Sequence, residues 1–200
     1  MSKTKIESKA AQVVNNLFDE EVFNGIQKYV ENVVPALRCA VDKDIFVRNY
    51  IHNNSFFVDI HHQLADFASE MFKERVKPSY CFLSLYKNGG KCPLHIDRPQ
   101  CRYTIDYLVR ATSSKPWPIS ISDPLSKFEL TKILDGHPKD QDIIDRIISD
   151  NTWTTIDLQP NDAVLYSGTN SWHYRPTALQ GEADLVFFHF VPEGFSDQLN

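Results

Sequence analysis

The residues best suited to chemistry are His95, Asp97 and His173. The first two form His95-Ile96-Asp97 inside "YKNGGKCPLHIDRPQCRYTIDYL". In an extended segment, residues i and i+2 project to one side, so both side chains can reach one ion. A third ligand from a distant strand closes one face of an octahedron and leaves about three positions open. His173 is placed for this, following "DAVLYSGTNSW", where a strand runs into a glycine turn. Two histidines and a carboxylate in this pattern point to non-haem Fe(II). His-x-Asp alone is too common to carry the argument, so the weight falls on the elements around it.

Those elements come in a definite order. Apolar residues recur at helical spacing from Val13 to Val34, and Asp19 is a natural N-cap ahead of Glu20 and Glu21. "DIHHQLADFASEMFKERV" (59–76) predicts a second helix, with His61 and His62 as packing or surface residues. From Ser79 the pattern turns to strands: 79–86, 101–110, 117–122, 152–158, 162–168 and 184–191. In "CRYTIDYLVR", Tyr103, Ile105, Tyr107 and Val109 share one face. Residues 123–151 differ in composition and read as a helical insertion, a possible lid, with His137 in an exposed turn. Helices followed by many antiparallel strands predict an α+β, mainly β domain: a sandwich or barrel with helices on one face.

Bulk properties narrow the function. The chain has 200 residues, 42% hydrophobic and 12% aromatic, enough for one domain with a real core. A net charge of −5 gives no footprint for nucleic acid. No apolar run approaches the ~20 residues of a membrane span, and the N-terminus lacks a signal-peptide core, so the expected location is the cytoplasm. Cys39, Cys81, Cys92 and Cys101 are expected as free thiols, with no zinc-type spacing.

With these pieces in order, the sequence resembles the Fe(II)- and 2-oxoglutarate-dependent dioxygenases, most closely their prolyl-4-hydroxylase-like branch. "NLFDEEVFNGIQKYV" is similar to the family's entry helix, and "SLYKNGGKCPLHIDRP" to its tyrosine-loop-His-x-Asp segment. "RYTIDYL", "LQPNDAVLYSGTNSWHYRP" and "DLVFFHFV" resemble the strands that follow. The resemblance implies one domain (1–200). It would consist of a mainly helical part (12–77) and a double-stranded β-helix of the jelly-roll or cupin type (79–191), with the 123–151 insertion. It implies His95, Asp97 and His173 as Fe(II) ligands, 2-oxoglutarate and O₂ as co-substrates, and hydroxylation of a small molecule, amino acid or peptide residue. Asp97 occupies the position a halogenating relative leaves to chloride.

The resemblance also implies Tyr86 and Tyr107 as co-substrate tyrosines, and a Lys or Arg nine or ten residues beyond the distal histidine. That cation is missing: "TALQGEADLVFFH" (177–189) has no basic residue, and Glu182 and Asp184 stand there instead. Arg175 is the first substitute, since guanidinium binds a carboxylate bidentately, and Arg102 the second. Arg110 reads as a surface ion pair and His189 as a weaker anchor. Arg98, beside the metal motif, is a candidate for substrate contact. The gap leaves two alternatives: a divalent-metal, cupin-like enzyme that does not use 2-oxoglutarate, or a silent ligand-binding domain.

Overall fold

In a computed structural model, the structure describes residues 6–7 and 10–199, except 114 and 134–135. Two antiparallel sheets face each other. The strands are β1 (Ile6–Glu7), β2 (Ala11–Val14), β3 (Ala40–Asp42), β4 (Arg48–His52), β5 (Val76–Tyr86), β6 (Tyr103–Ala111), β7 (Ile119–Ser122), β8 (Trp153–Ile156), β9 (Ala163–Tyr166), β10 (His173–Tyr174) and β11 (Ala183–Pro192). The larger sheet runs β1-β2-β9-β6-β11-β5-β4-β3 and the smaller β10-β7-β8. His95 extends the smaller sheet by an antiparallel bridge to His173. This alternation of strands between sheets is the double-stranded β-helix.

The helices are α1 (Glu20–Asn32), α2 (Ser55–Gln63), α3 (Ala65–Phe72), α4 (Lys127–Leu130) and α5 (Gln141–Asp150). Asp19 caps α1, accepting from the Val22 amide at 2.9 Å, and Glu20 and Glu21 occupy its first turn as the helix dipole favours. The chain departs from the helical reading on either side of this cap. Val13 lies in β2, paired with Val164 of β9, because a short apolar run buried in a sheet has no periodicity of its own. The single helix expected over 59–76 is two, meeting at Leu64 and starting earlier at Ser55, where Asn54 caps the Phe56 amide.

Two cores result. On the outer face of the larger sheet, Phe57, Ile26, Val30 and Met71 of the helices meet Leu83, Ile105, Tyr107, Val186 and Phe188 of the strands. Each such fully buried side chain contributes about 1.5–3 kcal/mol of burial. Between the sheets, Tyr86, Leu108, Trp117, Ile119, Ile121 and Leu185 form the second core. The described part of the 123–151 segment carries α4 and α5. Its Leu125, Leu130, Ile133, Ile144, Ile147 and Ile148 pack on Leu94, Ile96 and Trp172, against the backs of the residues flanking the metal motif. Among the described residues, no helix is long and apolar enough to cross a membrane.

Candidate metal centre

His95, Asp97 and His173 converge at one end of the intersheet space. Their ligand-type atoms all lie within 4.8 Å of one another. Asp97 Oδ1 stands 3.6 Å from His95 Nε2 and 3.8 Å from His173 Nε2. Backbone pairing builds this geometry. His95 and His173 exchange amide-to-carbonyl hydrogen bonds of 3.0 and 2.9 Å, and the Asp97 amide donates to Gly168 O at 2.9 Å. Gly168 is required here by proximity: a Cβ at that position would lie 2.2 Å from Asp97 Oδ2 and 2.7 Å from the Cys101 carbonyl.

The ring orientations suit a cation. His95 Nδ1 lies 2.8 Å from Pro93 O and His173 Nδ1 lies 3.0 Å from Ser171 O. A carbonyl only accepts, so each Nδ1 carries the proton and each Nε2 turns a lone pair toward Asp97. Burial, reinforced by the neighbouring His173, pushes the His95 pKa down to about 3, and burial pushes that of His173 to about 4. Both are neutral at physiological pH, as metal ligands must be. Burial raises the Asp97 pKa, partly offset by His95. Two neutral imidazoles and a carboxylate in this proximity fit a divalent ion of the iron type.

The centre opens into a cavity of about 310 Å³ whose walls include Arg48, Phe82, Tyr86, Tyr166, Arg175 and Phe187. Of the two tyrosines singled out in the sequence, Tyr86 lines it and Tyr107 does not. Tyr107 belongs to the helix-facing core, edge-on to Phe18, with its hydroxyl donating to Asn161 Oδ1 at 3.2 Å. The apolar face of β6 turns to the helices. Its alternate face, carrying Thr104, Asp106 and Leu108, turns inward, so the strand's alternation is right and its assignment to a core reversed.

The cations also sort differently from expectation. Arg175 enters the cavity, but it is committed: Nη2 pairs with Asp106 Oδ2 at 3.1 Å, Nη1 donates to Trp117 O, and the guanidinium stacks 4.3 Å from the Trp117 ring. It also lines a second cavity of about 270 Å³ at the far end of the intersheet space. Arg102 faces away, donating to Thr169 and Asn170 at 3.0 and 2.7 Å. Arg110 pairs with Asp184 at 2.7 Å, so that carboxylate does not burden the cavity. His189 lies in the cavity wall but burial holds its pKa well below normal, leaving it neutral and unsuited to anchoring a carboxylate. Arg98 lies exposed at the mouth, over the Tyr80 ring.

Two further wall features escaped the sequence reading. Arg48 reaches in from β4, a short half-buried strand of mixed polarity with no alternation to betray it. His137 is exposed in its turn, yet its ring stacks on that of His95, with centroids 5.1 Å apart. All four cysteines are free. Cys101 lies 2.6 Å from the Tyr80 hydroxyl and, with Asp97 and His189, forms a second close group of ligand-type atoms.

No family model and no curated protein matches the sequence. Solved structures do match the fold. SnoK, described as a non-haem α-ketoglutarate-dependent carbocyclase from nogalamycin biosynthesis, superposes with TM-score 0.72 at 7% identity, over 96% of this chain and 87% of that one. EctD from S. alaskensis gives 0.66 at 15% identity over 92% and 73%. Other structures of that protein hold Fe, or 2-oxoglutarate with 5-hydroxyectoine. A Pseudomonas putida prolyl-4-hydroxylase gives 0.62 at 9% identity over 92% and 94%. The chain therefore has the double-stranded β-helix fold of the non-haem iron, 2-oxoglutarate-dependent oxygenases.

Proposed function

We propose that this protein is an Fe(II)- and 2-oxoglutarate-dependent oxygenase that hydroxylates an unactivated C–H bond of a small molecule, amino acid or peptide residue. The observation that carries the reading is the convergence of His95 Nε2, His173 Nε2 and Asp97 Oδ1, with both imidazole tautomers fixed by backbone carbonyls. Bound iron, with 2-oxoglutarate and O₂, supplies the oxidising chemistry. The chain supplies placement. His95, Asp97 and His173 are held by backbone pairing before any ion arrives, while Phe82 and Phe187 give the cavity apolar walls beside Arg48 and Tyr86. The insertion, packed behind the metal motif, is a candidate for substrate selection. The net charge of −5 favours neither nucleic acid nor an anionic membrane surface as partner.

A second reading, a divalent-metal enzyme that does not use 2-oxoglutarate, is favoured by one observation: Asp106 already neutralises Arg175. Anaerobic titration separates the two. The primary reading expects a weak visible charge-transfer band that requires both Fe(II) and 2-oxoglutarate and disappears in His95→Ala. Fe(II) binding with no such band would exclude 2-oxoglutarate. Succinate release then distinguishes an active oxygenase from a binding domain.

A further inference from the structure

Three arginines line the metal cavity, and two are already engaged. Arg175 is held by the Asp106 carboxylate and the Trp117 carbonyl. Arg98 donates Nε to the Tyr80 hydroxyl at 3.0 Å and rests on its ring at the mouth. Arg48 differs from both. Its Nη1 donates to two neutral hydroxyls, Ser84 Oγ at 2.9 Å and Tyr86 Oη at 3.2 Å. Its Nε is buried with no partner. Among the described residues, no carboxylate lies within ion-pair distance of it.

This is an unfinished guanidinium site. Pinning Nη1 to Ser84 and Tyr86 fixes the plane of the group, so a carboxylate entering the cavity would meet a guanidinium of set orientation that carries no charge partner among the described residues. The Phe46 ring, 4.4 Å from the guanidinium carbon, shields one side. Phe46 also meets His95 edge-on, with ring centroids 5.5 Å apart, so one aromatic spans from the arginine to the metal motif. A buried donor left unsatisfied is destabilising, and an anionic acceptor relieves it.

We propose that Arg48, with the Tyr86 hydroxyl beside it, holds the distal carboxylate of the 2-oxo acid. This assigns the anchoring role to a strand outside the barrel proper, on the far side of β5 from β11, where the resemblance led one to look. The inference rests on the co-substrate reading above.

The test uses Mn(II)-loaded full-length protein and calorimetry with two ligands: 2-oxoglutarate, and 2-oxopentanoate, which has the same chain but a methyl in place of the distal carboxylate. Wild type is expected to prefer 2-oxoglutarate by about 30-fold or more, the scale of a lost buried charge pair. Arg48→Gln should abolish the preference and Arg48→Lys retain part of it. Unchanged 2-oxopentanoate binding in both variants would show that they are folded and metal-loaded. Retention of the full preference in Arg48→Gln overturns the assignment. So does loss of both ligands in that variant while Mn(II) still binds. If wild type binds Mn(II) but shows no preference, the co-substrate reading itself fails, a result visible without any variant.

Discussion

His95 and His173 exchange both of their backbone hydrogen bonds, so the two imidazoles are neighbours across an antiparallel bridge rather than residues gathered by an ion. Their ring centroids lie 4.0 Å apart. The sheet therefore sets the spacing of the two imidazoles.

One consequence concerns the individual ligands. Because the backbone bridge survives truncation of either ring, His173→Ala should keep the fold while weakening Mn(II) or Fe(II) binding by more than about 100-fold, the upper end of what outer-shell losses alone cause. Metal titration followed by paramagnetic resonance reads the affinity, and circular dichroism the fold.

Gly168 offers a test that removes no ligand. Gly168→Ala places a methyl 2.2 Å from Asp97 Oδ2 and against the Cys101 carbonyl, so Asp97 must turn or the two segments must part. Overpacking of this kind costs about 1–3 kcal/mol. Reduced metal affinity together with a lower urea midpoint is expected. Unaltered metal affinity would mean that Asp97 is not a ligand.

The two tyrosines should separate cleanly. Tyr107→Phe loses a hydroxyl bonded to Asn161, whose amide also donates to Phe18 O at 2.9 Å, and should cost about 1 kcal/mol of stability. It should leave metal and 2-oxo acid binding untouched. Tyr86→Phe should weaken 2-oxoglutarate binding with little change in metal affinity. Denaturation and calorimetry on the same pair of variants check both statements.

Asp106 gives a pH dependence with a definite sign. Burial raises its pKa to about 6, with Arg175 opposing the shift. The folded state thus binds a proton that the unfolded chain releases near pH 4, and stability falls as pH rises between those values. Two pH units correspond to about 3 kcal/mol. Relative to Asp106→Asn, wild type should lose about that much between pH 4 and 6 and then level off. A difference that grows in the opposite direction would contradict the assigned burial effect.

What the sequence disclosed and what it hid follow from physical cause. The meeting of His95 and Asp97 was legible because i, i+2 projection is a local rule, and the approach of His173 because a strand–glycine-turn–histidine series is local too. The α1 cap was legible for the same reason. Tyr107 was misplaced because alternation separates two faces of a strand without saying which of two cores each face meets. The face carrying Asp106 looks solvent-exposed by composition, yet it is buried by a partner, Arg175, that lies far away in sequence. Arg48 was invisible because β4 has no alternation and its relevance depends on pairing with β5, where Arg48 lies opposite Tyr86. His137 reads as a turn residue, and it is one. Its stacking on His95 follows only once the insertion folds back.

The insertion leaves a last consequence in three successive amides. The amide of His95 donates to His173, that of Ile96 to Gly136 in the insertion, and that of Asp97 to Gly168. Consecutive protons in one tripeptide thus report on three separate stretches of chain. In a hydrogen-exchange experiment the Ile96 amide is a private sensor of whether the insertion is docked, while its two neighbours act as built-in references for the integrity of the centre. A substrate that lifts the insertion would accelerate exchange at one position and spare the positions on either side.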